Sequence, residues 1–463
     1  MRFTRQEIIS LVSICIGSFL IILDTNIVNI IIPPLRQQLN LTISQTSWIV
    51  NSYVLAFASL ILFFARLSKR IGAKNAFIAG ISIFMVGSLF CGLSVTYNNL
   101  LISRILQGIG AALFAPVATT LLSSTVVEPR KRTLAFGIWS GTSGIGFAFS
   151  PMIGGFFNEL WGWRSIFFIN IPFTLIVIVT AFTAIKDIKK EDISMFIKEQ
   201  MTVVLLIFTF VYITHEYKMM IQFPFLFMTG CLILLFLGRN YGKKFKQDLT
   251  QVVQRQMFSR LNISSLINGF TYNFSIYGII YFISIYYQEN LHLSSLETGI
   301  KFLPLTLSAM LLSSFLSPIL VNKFGEILTQ KLCLFAIISG SIILFVYFSI
   351  TKVPPLIPAS FILLGFSGAI APVLMNAAFL ATDEMYHNEI SSLVNLARQM
   401  GSILGVMIVS IMLDLLPKEI VIQYFILCTI IISALAYGYL SWANTFSIKS
   451  FRYSNKKDST PHQ

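Results

Sequence analysis

Asp24 is the one carboxylate set well inside a long apolar stretch of the chain, and Arg104 lies six residues into another. Asp24 lies nine residues before Pro33, roughly 14 Å from the end of its helix at about 1.5 Å per residue. The remaining acids fall in loops or at helix ends. Hydrocarbon favours the neutral form of a carboxyl, so an acid at that depth is a candidate proton carrier. The plain alternative is a structural carboxylate locked to a neighbouring cation. Arg104 is the natural partner, roughly 9 Å into its own helix. Its guanidinium stays charged throughout, so a titrating acid beside it would reset the local charge balance. Here too the plain alternative is a helix-packing ion pair. A second set of residues suits a substrate. Tyr272, Asn273, Tyr277 and Tyr281 recur at a helical spacing that keeps the tyrosines near one face. Tyrosine offers apolar area, a hydrogen-bonding tip and a face for cations. Tyr286 and Tyr287 fit an interfacial belt instead. Asn29, Asn51 and Gln107 are the polar cavity candidates of the first half.

The elements that must hold these residues are membrane helices. The chain has 463 residues, 56% hydrophobic and 11% charged. A soluble domain is about a quarter charged, so the missing charge points to hydrocarbon. The net charge of +14 comes from short Lys and Arg clusters between apolar runs, which membrane topology explains better than a nucleic-acid partner does. The cysteines (Cys15, Cys91, Cys231, Cys333, Cys428) and the four histidines are dispersed singly, which leaves neither a disulfide framework nor a metal site. The first apolar run contains Asp24 and no small-residue cleavage site, so it is a retained helix.

Spans long enough to cross, roughly 20 apolar residues each, are 8–32, 44–65, 75–95, 98–123, 133–157 and 163–185. Two follow at 196–214 and 220–238, then six at 261–287, 297–320, 331–350, 354–380, 390–415 and 419–443. The expected fold is therefore an all-α polytopic membrane protein of fourteen helices arranged 6 + 2 + 6. Its parts are a bundle at 1–190, a two-helix insert at 191–245, a second bundle at 246–445 and a tail at 446–463. Basic residues concentrate in the segments that would share one side, among them Arg66, Lys69, Arg70, Lys74, Arg130 to Arg132 and Arg398. That asymmetry puts both termini in the cytoplasm and requires an even helix count. Removing 196–214 and 220–238 together preserves it, so charge alone allows twelve helices or fourteen. A faint repeat relates 65–72 to 318–325, as in transporters built from two related halves. Between Gly137 and Gly155 one helix carries Gly146, Pro151, Gly154 and Gly155, a composition that permits close helix packing and a kink.

Several of these stretches resemble one family. Leu23-Asp24-Thr25-Asn26-Ile27-Val28-Asn29 through Pro33 resembles the helix-1 motif of the fourteen-helix drug:proton antiporters of the major facilitator superfamily. Arg104-Ile105-Leu106-Gln107-Gly108-Ile109-Gly110 is similar to the superfamily's helix-4 motif. Gly146 through Ser150-Pro151-Met152-Ile153-Gly154-Gly155 resembles the antiporter motif, with Ser150 where glycine is usual. Trp163 to Pro172, Leu296-Glu297-Thr298-Gly299 and Asn395 to Gly401 also resemble family segments. The loop between helices 2 and 3 departs from the family's Gly-x-Leu-x-Asp-Arg-x-Gly-Arg-Lys. It keeps Arg70 and Gly72 but has Ala65, Lys69 and Ala73 in place of Gly, Asp and the second Arg. Lys69 replaces the acid that latches the halves in the family.

The resemblance implies export of amphipathic, mostly cationic or neutral organic compounds from a bacterial cell membrane. Export would be driven by the proton gradient without another cofactor, by a monomer contacting membrane lipid. Asp24 and Arg104 would couple protons, while Gly146, Pro151, Gly154, Gly155, Lys69, Arg70, Gly72 and Arg398 would serve the conformational change. A dedicated exporter of one metabolite, lipid or siderophore would share this coupling. A channel would be indifferent to a pH gradient. A membrane enzyme would need clustered nucleophiles or metal ligands, and an ATP-driven pump a GxxxxGK[ST] loop; the sequence has neither.

Overall fold

Short polar signals start several of the helices. Thr4 and Glu7, Thr42 and Gln45, and Ser294 and Glu297 each form a reciprocal capping box at a helix start. A computed structural model of the chain describes residues 3–186, 257–383 and 387–457, with short helical pieces at 204–205, 208–209 and 211–212. The first half contains α1 (Arg5–Ile27), α2 (Ile32–Leu39), α3 (Ile43–Ile71) and α4 (Ala73–Leu93). It continues with α5 (Tyr97–Thr125), α6 (Pro129–Trp161), α7 (Ser165–Phe168) and α8 (Asn170–Ala184). The second half contains α9 (Arg260–Ile285), α10 (Ser295–Lys301), α11 (Leu303–Leu311) and α12 (Ser317–Ser349). It closes with α13 (Leu356–Phe366), α14 (Ile370–Leu380), α15 (His387–Leu415) and α16 (Lys418–Lys457). The sequence spans 196–214 and 220–238 lie almost wholly outside the described residues, as does most of the 191–245 insert.

Among the described residues, nine helical stretches are long and apolar enough to cross a membrane. Two other long helices, α6 and α9, are less apolar. One is rich in glycine, the other in asparagine, serine and tyrosine. Both border the central cavity described below. The repeat proposed from sequence has a shared backbone device. Gly72 (φ 95°) separates α3 from α4, and Gly325 (φ 74°) divides α12 at the equivalent place. A positive φ costs glycine little and most other residues considerably more. The last helix outruns its apolar span 419–443 and continues to Lys457.

The halves meet along two seams, α6 against α10 and α11, and α3 against α15. At the first seam the helices approach to backbone contact. A Cβ on Gly155 would lie 2.6 Å from Leu296 Cα, and one on Gly299 2.9 Å from Met152 Cα. Glycines at the crossing let two helices touch where any side chain would wedge them apart. Gly146 and Gly154 face the other way, onto Phe19 and Ile27 of α1.

Candidate functional site

Arg104 and Asp24 meet inside the first half, where they are 1% and 0% exposed. Arg104 Nη1 donates to Asp24 Oδ2 at 2.5 Å and to Gln107 Oε1 at 2.8 Å. Gln107 Nε2 and Asn170 Nδ2 each donate to Asp24 Oδ1 at 3.2 Å. Both amides also lie against Ser88 Oγ, at 2.6 and 3.0 Å. Arg104 Nε donates to the Ile49 carbonyl at 3.3 Å, and the guanidinium sits 4.4 Å from the centre of the Tyr53 ring. The carboxylate is thus satisfied by residues of α5 and α8, while α3 and α4 hold the cation and the amides. Small residues set these distances: Gly87 admits the Gln107 backbone, and a Cβ on Gly108 would come within 2.5 Å of the Tyr53 carbonyl.

Between the halves lies a cavity of about 1260 Å³. Thr25 and Asn26 of α1 line it, although the adjacent Asp24 points away into the first half. Aromatic walls come from Phe57, Trp139, Phe147, Tyr272, Tyr277 and Phe379, and hydroxyls from Ser18, Ser140, Ser143 and Ser313. Arg66, Lys69 and Arg398 also line it, with no carboxylate among the described lining residues.

The cavity opens at the end of the molecule that carries the N-terminus. Its lining reaches exposed Lys69 at the end of α3 and includes Ala73 and His387. At that end of the first half Gln6 Nε2 donates to the Ala184 carbonyl at 3.0 Å. The opposite end is shut by contacts between the halves. Glu289 accepts from Arg36 Nη1 of the first half at 2.7 Å, and Lys418 Nζ, from its own half, donates to its other oxygen at 2.6 Å. Gln288 Nε2 donates to the Ile30 carbonyl at 2.8 Å, and Asn158 Nδ2 to Ser295 Oγ at 2.8 Å. Thr46 and Tyr281 share a hydroxyl hydrogen bond at 3.0 Å.

Of the sequence's cavity candidates, Tyr272, Asn273 and Tyr277 line this space. Asn273 Nδ2 donates to Ser402 Oγ at 3.0 Å. Gln107 belongs to the Asp24 network instead. Asn51 Nδ2 bridges the seam to the Ile403 carbonyl at 3.3 Å. Asn29 is buried in the short turn Val28–Ile30 beyond Asp24. Lys69 and Arg70 are exposed at the end of α3, next to Gly72. Arg398 lies well inside α15 and faces the cavity, not a loop. Sequence reasoning assigned no role to Ser88, Tyr53 or Asn170, though Asn170 falls within the Trp163–Pro172 stretch. It also missed the Arg36–Glu289–Lys418 cluster, whose members lie 253 and 129 positions from Glu289.

Two helical halves around one cavity, open at one end, define a membrane transporter. The chain matches the Major Facilitator Superfamily over residues 14–406 and belongs to that superfamily. It is 27% identical over 422 residues to a methylenomycin A resistance protein of Bacillus subtilis, covering 88% of this chain and 87% of the relative. It is 26% identical over 411 residues to the drug efflux pump JefA of Mycobacterium tuberculosis, covering 87% and 80%. Among solved structures it resembles a bacterial homologue of the lysosomal transporter Spinster in an inward-facing, unoccupied conformation. That pair has a TM-score of 0.67 and 14% identity, over 97% of this chain and 99% of the other. A POT family transporter in complex with 5-aminolevulinic acid gives a TM-score of 0.69 at 14% identity, over 93% and 96%. At such identities the structural likeness concerns the fold.

Proposed function

We propose that the chain is a proton-coupled antiporter that exports amphipathic organic compounds from the bacterial cytoplasm by alternating access, with Asp24 as the protonation site. In this reading it has fourteen membrane helices as two bundles, 1–190 and 246–445, around the insert 191–245. The tail 446–463 and the N-terminus both face the cytoplasm, and the cavity is open inward. The observation that carries the proposal is the position of Asp24 on α1. Its carboxylate is sealed in the first half with Arg104, while the next two residues, Thr25 and Asn26, line the cavity. Ile27, one turn on, packs against Gly154, whose neighbour Gly155 touches the second half at Ser295. Protonating Asp24 would cancel the negative partner of Arg104 and loosen α1 from α5. The same helix presses on the glycine seam that closes the outer end, so proton binding and seam opening would share one element. Resistance-related names among the relatives support export as the direction.

A susceptibility panel tests the proposal. Cells overproducing the chain should tolerate higher concentrations of several amphipathic compounds, and an uncoupler should abolish that tolerance. Protection against a single compound would favour a dedicated exporter, and protection indifferent to the uncoupler would refute proton coupling.

A further inference from the structure

The charge on the cavity wall bears on what it can hold. Arg66, Lys69 and Arg398 line it and, among the described residues, no acid does. Lys69 stands exposed at the mouth, where solvent screens it. Arg398 is different: it lies within α15 beside Gln399, and its Nε is buried without a hydrogen-bond partner. The Arg398 stem passes over Gly269 of α9, where a Cβ would lie 2.9 Å from Cγ. That glycine gives the side chain room to run along α9, the helix that carries Tyr272, Asn273 and Tyr277.

We infer that the cavity takes amphipathic organic anions, with the carboxylate, sulfonate or phosphate of the substrate on the Arg398 guanidinium and its apolar body among the aromatic walls. This rests on the export reading and narrows its substrate class, away from the cationic compounds expected of the family. The chemistry is direct. A guanidinium presents a planar fork of donors that matches an oxyanion with two parallel hydrogen bonds. A cation left without a counter-charge in a partly dry site is unfavourable until an anion arrives. A cationic ligand about 8 Å away, at an effective dielectric near 20, would lose on the order of 30-fold in affinity by repulsion alone. Asp24 offers no relief, because its carboxylate is already committed to Arg104 within the first half. Phe57, Trp139, Phe147 and Tyr277 supply the apolar surface that a small inorganic anion cannot use.

Two fluorescent probes with one ring system and opposite charge, 1-pyrenebutyrate and 1-pyrenemethylammonium, test this on the purified full-length protein. Wild type should bind the anion at least tenfold more tightly than the cation. Arg398→Gln should weaken anion binding on the order of 10-fold or more, with cation binding unchanged or improved. Among the described residues no acid pairs with Arg398, so this substitution strands no described counter-charge. Arg398→Lys, which keeps the charge and loses the fork, should retain part of the preference. Equal or tighter binding of the cation by wild type would overturn the inference, as would anion binding that ignores Arg398→Gln. Flux of pyrenebutyrate in proteoliposomes separates the two claims. An Arg398-dependent preference with flux indifferent to a pH gradient would leave the anion site standing and sink the coupled-export reading. Gradient-driven flux of the cation in preference to the anion would do the reverse.

Discussion

At Asp24 and Arg104, both almost inaccessible, removing one charge strands the other in a site that cannot rehydrate it. Half-removal of a buried pair costs about 3–5 kcal/mol, whereas replacing both partners is close to neutral. Asp24→Asn and Arg104→Gln should therefore each lower the apparent melting temperature in detergent, and the double variant should melt above both. Losses that simply add would show that the two groups do not act as a pair. This pair was legible because charge is rare in apolar helices. Its neutral partners were not: Ser88 and Asn170 are types that recur throughout the chain, and no spacing distinguishes them. Arg398 shows a different limit. Counting positive charge assigns it to a membrane edge, but α15 begins at His387 and carries it into the cavity. Which face of that helix looks inward depends on packing partners that one sequence does not name.

Among elements, the closure of the end opposite the N-terminus joins two kinds of contact of unequal weight. The Arg36–Glu289 pair, which crosses between the halves, is 23–30% exposed, a setting in which it contributes about 0.2–1 kcal/mol. The α6–α10 crossing has no slack, because a Cβ at Gly155 meets backbone and no flexible side chain. Sterics should dominate. Gly155→Ala is expected to hold the closed end ajar, seen as faster hydrogen exchange across 286–300 than in wild type. Glu289→Gln should change that exchange far less, and the opposite ranking would contradict the steric account. The glycine and proline run of α6 was readable as a close-packing helix. Its partner was hidden in the sequence, since Gly299 lies in a short motif far along the chain and neither segment states its register against the other. The polar composition of α9 had a clearer meaning: serine, asparagine and tyrosine on a membrane-length helix mark one that borders a cavity.

For the whole molecule, the two-halved architecture followed from apolar spans, and the repeat at 65–72 and 318–325 matches the positive-φ glycines Gly72 and Gly325. Hydropathy could not distinguish twelve helices from fourteen, since 196–214 and 220–238 move as a pair without changing charge asymmetry. Orientation can be tested with exposed positions at opposite ends, Lys323 and Lys352. In a cysteine-free background, an impermeant thiol reagent added to intact cells should label Lys352→Cys and spare Lys323→Cys; the reverse would invert the topology. The central claim concerns Asp24, and proton release tests it most directly. Purified protein in weakly buffered solution is given a compound against which it confers resistance, and the protons released on binding are measured for wild type, Asp24→Glu and Asp24→Asn. Binding of the compound, whose cavity Asp24 does not line, verifies the fold of each variant. Wild type should release protons, Asp24→Glu should do so with a shifted pH dependence, and Asp24→Asn should bind without release. Equal release from wild type and Asp24→Asn would mean that the protons travel through another residue, contradicting the assignment of Asp24.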